Sequence, residues 1–165
     1  MIIGVDALAD LRAEAPDTAI TLVHGVFDVL HPGHIRHLEV AKQVGEIVVV
    51  VLWGDVCTHV RKGPNRPVNG IDYRLAMIDN FKQVDYCFEV PGEKGWPNDL
   101  MQPVVASLEP DYYLVSSRQH PIFGGAAVID HPDGRQTSLL YDLTYGQKCY
   151  SSTAIIEALT RSEAT

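Results

Sequence analysis

Histidine recurs every third residue at the end of Gly25-Val26-Phe27-Asp28-Val29-Leu30-His31-Pro32-Gly33-His34, and His37 continues the row. This segment follows a short apolar run, residues 19–23, and leads into a stretch of helical spacing that opens at Pro32. Proline is tolerated there because first-turn amides have no partner within the helix. A strand that ends in a glycine-containing turn and enters a helix offers backbone N–H groups and a positive dipole end to an anion, and phosphate suits such a place. Residues three apart on that turn face the same way, so His31 and His34 can reach one ligand, and Gly33 between them leaves the approach open. Their N–H groups would donate to phosphate oxygens whose charge grows as a phosphorus centre becomes five-coordinate. Two other readings stay open. His31, His34 and His37 could ligate a metal, although no further ligands stand at the spacing zinc would require, or they could be unrelated structural histidines.

Such a turn needs a rigid framework, and the pattern along the chain predicts one. Helices are expected over 5–15, from 32 to about 44 (closed by Gly45), over 71–83, over 98–108 and, behind a Ser/Ser/Thr cap, over 152–161. Strands are expected over 19–23, 46–53, 85–90, 112–115 and 137–143, with a loop over 62–69. The Ile-Val-Val-Val-Val-Leu run within 46–53 suits a central strand covered on both faces. This alternation predicts one Rossmann-like α/β domain over 1–165, a five-stranded parallel sheet with helices on both faces. Residues 116–135 hold too much Gly, Pro and His for any period to show.

Charge narrows the partners. With 13 Lys and Arg against 21 Asp and Glu, a net charge of −8, the chain lacks the cationic surplus that gripping a nucleic-acid backbone requires. No stretch approaches the roughly 18–20 apolar residues of a membrane helix, so a cytoplasmic protein is expected. Cys57, Cys87 and Cys149 are spaced too widely for a zinc knuckle or a disulfide framework and are expected to be small apolar fillers.

The histidine segment resembles the signature of the cytidylyltransferase-like nucleotidyltransferases, whose His-x-Gly-His motif handles the triphosphate of an NTP. Further blocks fall in the family's order: Arg61-Lys62-Gly63-Pro64-Asn65-Arg66-Pro67-Val68-Asn69 followed by Arg74, then Val84-Asp85-Tyr86, then Tyr150-Ser151-Ser152-Thr153-Ala154-Ile155-Ile156. Together they span roughly 20–160. The Lys-Gly-x-x-Arg-Pro-Val-Asn loop is most similar to that of the adenylyltransferases that complete ADP-heptose synthesis. Glycerol-3-phosphate and phosphoethanolamine cytidylyltransferases resemble it less in that loop. The resemblance implies attack of an acceptor phosphate oxygen on the α-phosphorus of an NTP, with pyrophosphate leaving and no covalent enzyme intermediate, so that catalysis is positioning plus charge stabilisation.

The same resemblance implies roles. His31, His34 and Lys62 would be catalytic. Gly25, Val26, Phe27 and Gly33 would line the phosphates, Arg74 would take the β- or γ-phosphate, and Ser152 and Thr153 would bind the triphosphate from the start of the last helix. Asp28 would orient a neighbouring backbone or a magnesium-bound water. Mg2+ would accompany the NTP, ATP being favoured and CTP the alternative. The acceptor would be a small phosphorylated sugar or polyol, and the protein a homodimer.

The chain also departs from the family. Ser116-Ser117-Arg118-Gln119-His120 stands where the heptose branch has Lys-Gly-Gly-Asp and the glycerol-phosphate branch Gly-Asp-Asp-Trp, and Arg118 is the candidate for restoring the lost positive charge near base or acceptor. Gly146-Gln147-Lys148-Cys149-Tyr150 replaces the Arg-Thr-Glu-Gly of the glycerol-phosphate branch, which weighs against CTP. A third reading, a lapsed relative that binds nucleotide without turnover, follows from the altered 116–120 stretch.

Overall fold

Seven consecutive apolar residues form an interior strand of the sheet, Ile47–Trp53, and alternate ones pack in opposite directions. Val49 and Val51 join one buried cluster, and Val48, Val50 and Leu52 the other. A strand covered on both faces has no polar side to show, so its sequence carries no alternation. The computed structural model describes residues 1–92, 97–116 and 126–141.

In chain order the elements are α1 (Leu8–Glu14), entered through a 3-10 turn at Val5–Ala7, β1 (Ile20–Gly25), α2 (Pro32–Val44), β2 (Ile47–Trp53), α3 (Asp55–Lys62), α4 (Ile71–Asp79), β3 (Tyr86–Val90), α5 (Pro97–Leu108), β4 (Tyr112–Val115), β5 (Val128–Asp130) and β6 (Gln136–Tyr141). The sheet order is β3-β2-β1-β4-β6-β5. Five strands run parallel, as expected, and the short β5 pairs antiparallel with β6 at the edge. That sixth strand lies in the stretch whose period was unreadable. At the other edge Ile2 bridges Cys87 of β3, and the Ile3 N–H donates to the Cys87 carbonyl at 3.0 Å.

Helices cover both faces. Leu8 and Leu11 of α1 pack with Met101, Val104, Val105 and Leu108 of α5 over Leu22, Val49, Phe88 and Tyr113. On the other face Leu38 and Ala41 of α2 join Leu75 and Ile78 of α4 over Val23, Val50 and Leu114. α3 occupies a stretch, 55–62, for which the sequence pattern predicts no element apart from its last residue, placed in the 62–69 loop. Val56 and Val60, four apart, share one face of this two-turn helix, and that face is exposed. The final helix expected at 152–161 lies outside the described residues.

Two aspartates hold the starts of the central strands. Asp85, just before β3, accepts the Val48 N–H of β2 at 2.8 Å and the Lys42 ammonium at 2.7 Å. Asp111, just before β4, accepts the Ile20 N–H of β1 at 2.8 Å and the Arg12 guanidinium at 2.8 Å. With this edge pinned, the opposite ends of β1 and β4 flank the point where strand order reverses, the usual crevice of a doubly wound sheet.

Candidate functional site

β1 ends in that crevice at Gly25, and the chain turns sharply there. Phe27 has φ of 49°, the left-handed region, which costs an ordinary residue on the order of 1–2 kcal/mol. Its ring is nevertheless buried, 2% exposed, and packs back over Gly25. A Cβ at position 25 would stand 2.8 Å from that ring, so glycine is required there by packing.

His31 caps α2 with extended backbone (φ −146°, ψ 164°), and Pro32 follows in the first turn. The rings of His31 and His34 stack with centroids 3.7 Å apart and planes 25° apart, and Phe27 lies 5.0 Å from His34. Two charged imidazoles could not share this spacing. Burial holds the His34 pKa down at about 3, with the neighbouring His31 and His37 adding to the effect, and burial also lowers that of His31. Near neutral pH both rings are therefore uncharged and can serve as directional hydrogen-bond donors rather than as point charges. Gly33 sits between them on the same turn.

Asp28 turns away from the helix end. Its buried carboxylate accepts Nε of Arg66 at 2.7 Å and the N–H groups of Val68 and Asn69 at 2.9 and 2.8 Å, while Nδ2 of Asn69 donates to the Asp28 carbonyl at 2.8 Å. Asp28 thus orients neighbouring backbone and ties the turn to the end of the 62–69 loop. Lys62 begins that loop as the last residue of α3, where Gly63 with φ of 100° stops the helix. Partial burial, then Arg61 and Arg66, lower the Lys62 pKa.

Arg74 is placed beneath the crevice rather than in it. Its guanidinium is 0% exposed and donates to the carbonyls of Val26 (2.6 Å), Trp53 (2.8 Å) and Asn69 (3.0 Å) and to Asp55 (2.7 Å). It therefore joins the ends of β1 and β2, the start of α3 and the loop, and any contribution it makes to a ligand passes through them.

His24 is a site neighbour that pattern reading passed over. Its Nδ1 lies 2.8 Å from the Tyr113 hydroxyl, and its ring is 5.5 Å from Trp53, over which Arg61 stacks at 4.6 Å. Burial, then His37 and Arg61, bring its pKa down to about 3. The only sequence signal was a histidine at the end of an apolar strand, and its partner is 89 residues away.

Cys57 and Cys87 are buried, 3% and 0% exposed, and burial raises both thiol pKa values, which fits apolar fillers. Cys149, Arg118, Ser152 and Thr153 lie outside the described residues. Among the described residues no three His, Cys, Asp or Glu side chains converge as a metal site, and no helix is long and apolar enough to cross a membrane.

A doubly wound sheet with a turn strained at Phe27 and a stacked histidine pair at a helix start is the architecture of a Rossmann-like α/β protein. Residues 22–158 match the cytidylyltransferase-like family, and the chain belongs to it as a nucleotidyltransferase relative. The bifunctional protein HldE of Vibrio cholerae serotype O1 (strain O395) is 32% identical over 162 residues, which cover 96% of this chain and 32% of that protein. The bifunctional protein HldE of Methylococcus capsulatus is 32% identical over 158 residues, 94% of this chain and 30% of that one. The chain thus spans about a third of the length of the curated relatives it matches. Among solved structures, the lipopolysaccharide core biosynthesis protein from Thermoplasma volcanium GSS1 is similar at a TM-score of 0.52 and 30% identity, over 62% of this chain and 77% of that one.

Proposed function

We propose that the chain transfers AMP from ATP to a phosphorylated sugar or polyol in the cytoplasm, as a homodimer. The observation that carries this reading is the stacked His31/His34 pair at the start of α2, beside the turn at Gly25, Val26 and Phe27. The likeness to HldE over nearly the whole chain favours adenylyl transfer. An acceptor phosphate oxygen attacks the α-phosphorus, a P–O bond forms there, and the bond from the α-phosphorus to the bridging oxygen breaks to release pyrophosphate.

In this mechanism His31 and His34 donate hydrogen bonds to the phosphate oxygens as charge builds on them. Lys62 brings a mobile positive charge to the α-phosphate or the acceptor. The backbone at Gly25, Val26, Phe27 and Gly33 lines the triphosphate, Arg74 braces that backbone, and Ser152 and Thr153 also bind the triphosphate. Arg118 serves the base or acceptor. Mg2+ belongs with the substrate and arrives on the triphosphate.

The test is pyrophosphate release with each of the four NTPs against a panel of sugar and polyol phosphates. ATP-dependent release with at least one member is expected. Strict CTP dependence would overturn the ATP preference, and silence across the panel with nucleotide binding intact would replace the enzyme with a binding module.

A further inference from the structure

We infer that Arg74 is a positioning residue that sets the Val26–Phe27 peptide so that the Phe27 N–H faces the phosphates, an inference that rests on the nucleotidyltransferase reading above. The shortest of the four Arg74 contacts is the one to the Val26 carbonyl, at 2.6 Å. In a planar trans peptide the carbonyl and the N–H of the same unit point in opposite directions. A Val26 carbonyl drawn toward Arg74 therefore turns the Phe27 N–H away from it, to the opposite side of the turn.

Three observations give that orientation a purpose. Phe27 is in the left-handed region, an unfavourable conformation for a residue with a side chain, and such outliers cluster where a ligand is held. Among the described residues the Phe27 N–H has no acceptor. The ring of the same residue is buried with its centroid 5.0 Å from that of His34, so Phe27 belongs to the same cluster as the histidine pair.

The guanidinium itself cannot swing. The Trp53 and Asn69 carbonyls and Asp55 engage its other donors, and no surface of it is exposed. A planar fork holds several acceptors in a fixed geometry, which a rotatable lysine ammonium with three donors does not reproduce. Asp55 supplies the compensating charge for a buried cation, so the carbonyl of Val26 is held by a group that is both fixed and charged.

If Arg74 were only a structural staple, replacing it would lower stability without changing how the Phe27 amide responds to an anion. The experiment is amide NMR of the full chain titrated with magnesium pyrophosphate. The Phe27 amide proton is expected to move downfield as pyrophosphate saturates. In Arg74→Lys, pyrophosphate affinity should fall about 10-fold or more and the Phe27 shift should be lost, while the Val49 and Val50 amides keep their positions. Pyrophosphate binding with an unmoved Phe27 amide would overturn the inference and leave the functional reading standing, as would an Arg74→Lys variant that keeps both affinity and shift. Should that variant not fold, Asp55→Asn takes its place. About 3-fold weaker binding with a smaller Phe27 shift is expected, and unchanged values would overturn the inference. A chain that binds neither pyrophosphate nor any NTP would instead overturn the functional reading itself.

Discussion

The two ends of the sheet use the same device for opposite purposes. At the strand starts, Asp85 and Asp111 each take a backbone N–H and a basic side chain, and both carboxylates are partly exposed, at 36% and 39%. At the strand ends, Asp28 does likewise with Val68, Asn69 and Arg66, yet its side chain is fully buried, and Arg74 beside it is equally hidden. The first pair holds regular strands in register. The second group holds an irregular turn in a conformation it would not otherwise keep. Burial makes the difference, because a charge without water depends entirely on the partners the fold supplies.

That contrast can be broken experimentally, and the largest effect belongs to the buried end. Asp28→Ala leaves Arg66, whose side chain is 12% exposed, without its anion and should cost about 3–5 kcal/mol in chemical denaturation. A loss under 1 kcal/mol would mean that the 66–69 segment does not depend on this carboxylate. His34→Ala should lower turnover about 10²-fold or more with the acceptor found in the panel, and near-normal rates would remove it from the chemistry.

Acid offers a third probe. His24 and His34 stay neutral in the folded chain down to about pH 3 but protonate near pH 6.5 once unfolded. The unfolded state therefore binds more protons between those values. Stability is complete above about pH 6.5 and declines as pH falls toward 3, by roughly 1 kcal/mol per pH unit for each histidine. Denaturation at pH 7, 6 and 5 measures the slope, and a flat profile would show that the rings can charge in place. Smallest of all, Asp85→Asn at the exposed end should cost under about 1 kcal/mol and leave kcat unchanged. A fall in turnover there would erase the distinction between the two ends.

Much of the framework was legible because local signals bounded it. Pro32 and Gly45 delimit α2, and β4 matches its predicted span at Tyr112–Val115. α3 was not legible, since its eight residues between Gly54 and Gly63 make only about two turns, shorter than the window in which a helical period shows. In the site, the three-residue spacing of His31 and His34 pointed to their proximity, although His31 is the extended N-cap residue just before α2. The direction of Arg74 was not legible, because whether a helical arginine faces solvent or core depends on carbonyls contributed by β1, β2 and a loop. The partnership of His24 with Tyr113 depends on β1 lying beside β4, a fact of topology that no local window contains.

The flanks of the sheet bear on how copies of the chain can meet. An open edge strand is a row of unsatisfied donors and acceptors that invites another strand to add. Here Ile2 and Ile3 run along β3, and the three-residue β5 lies against β6. One border is thus partly covered by the chain's first residues and the other ends in a strand of three residues, too short to template much strand addition. A homodimer of the kind proposed above would meet a partly covered border on one side and only three residues of strand to extend on the other.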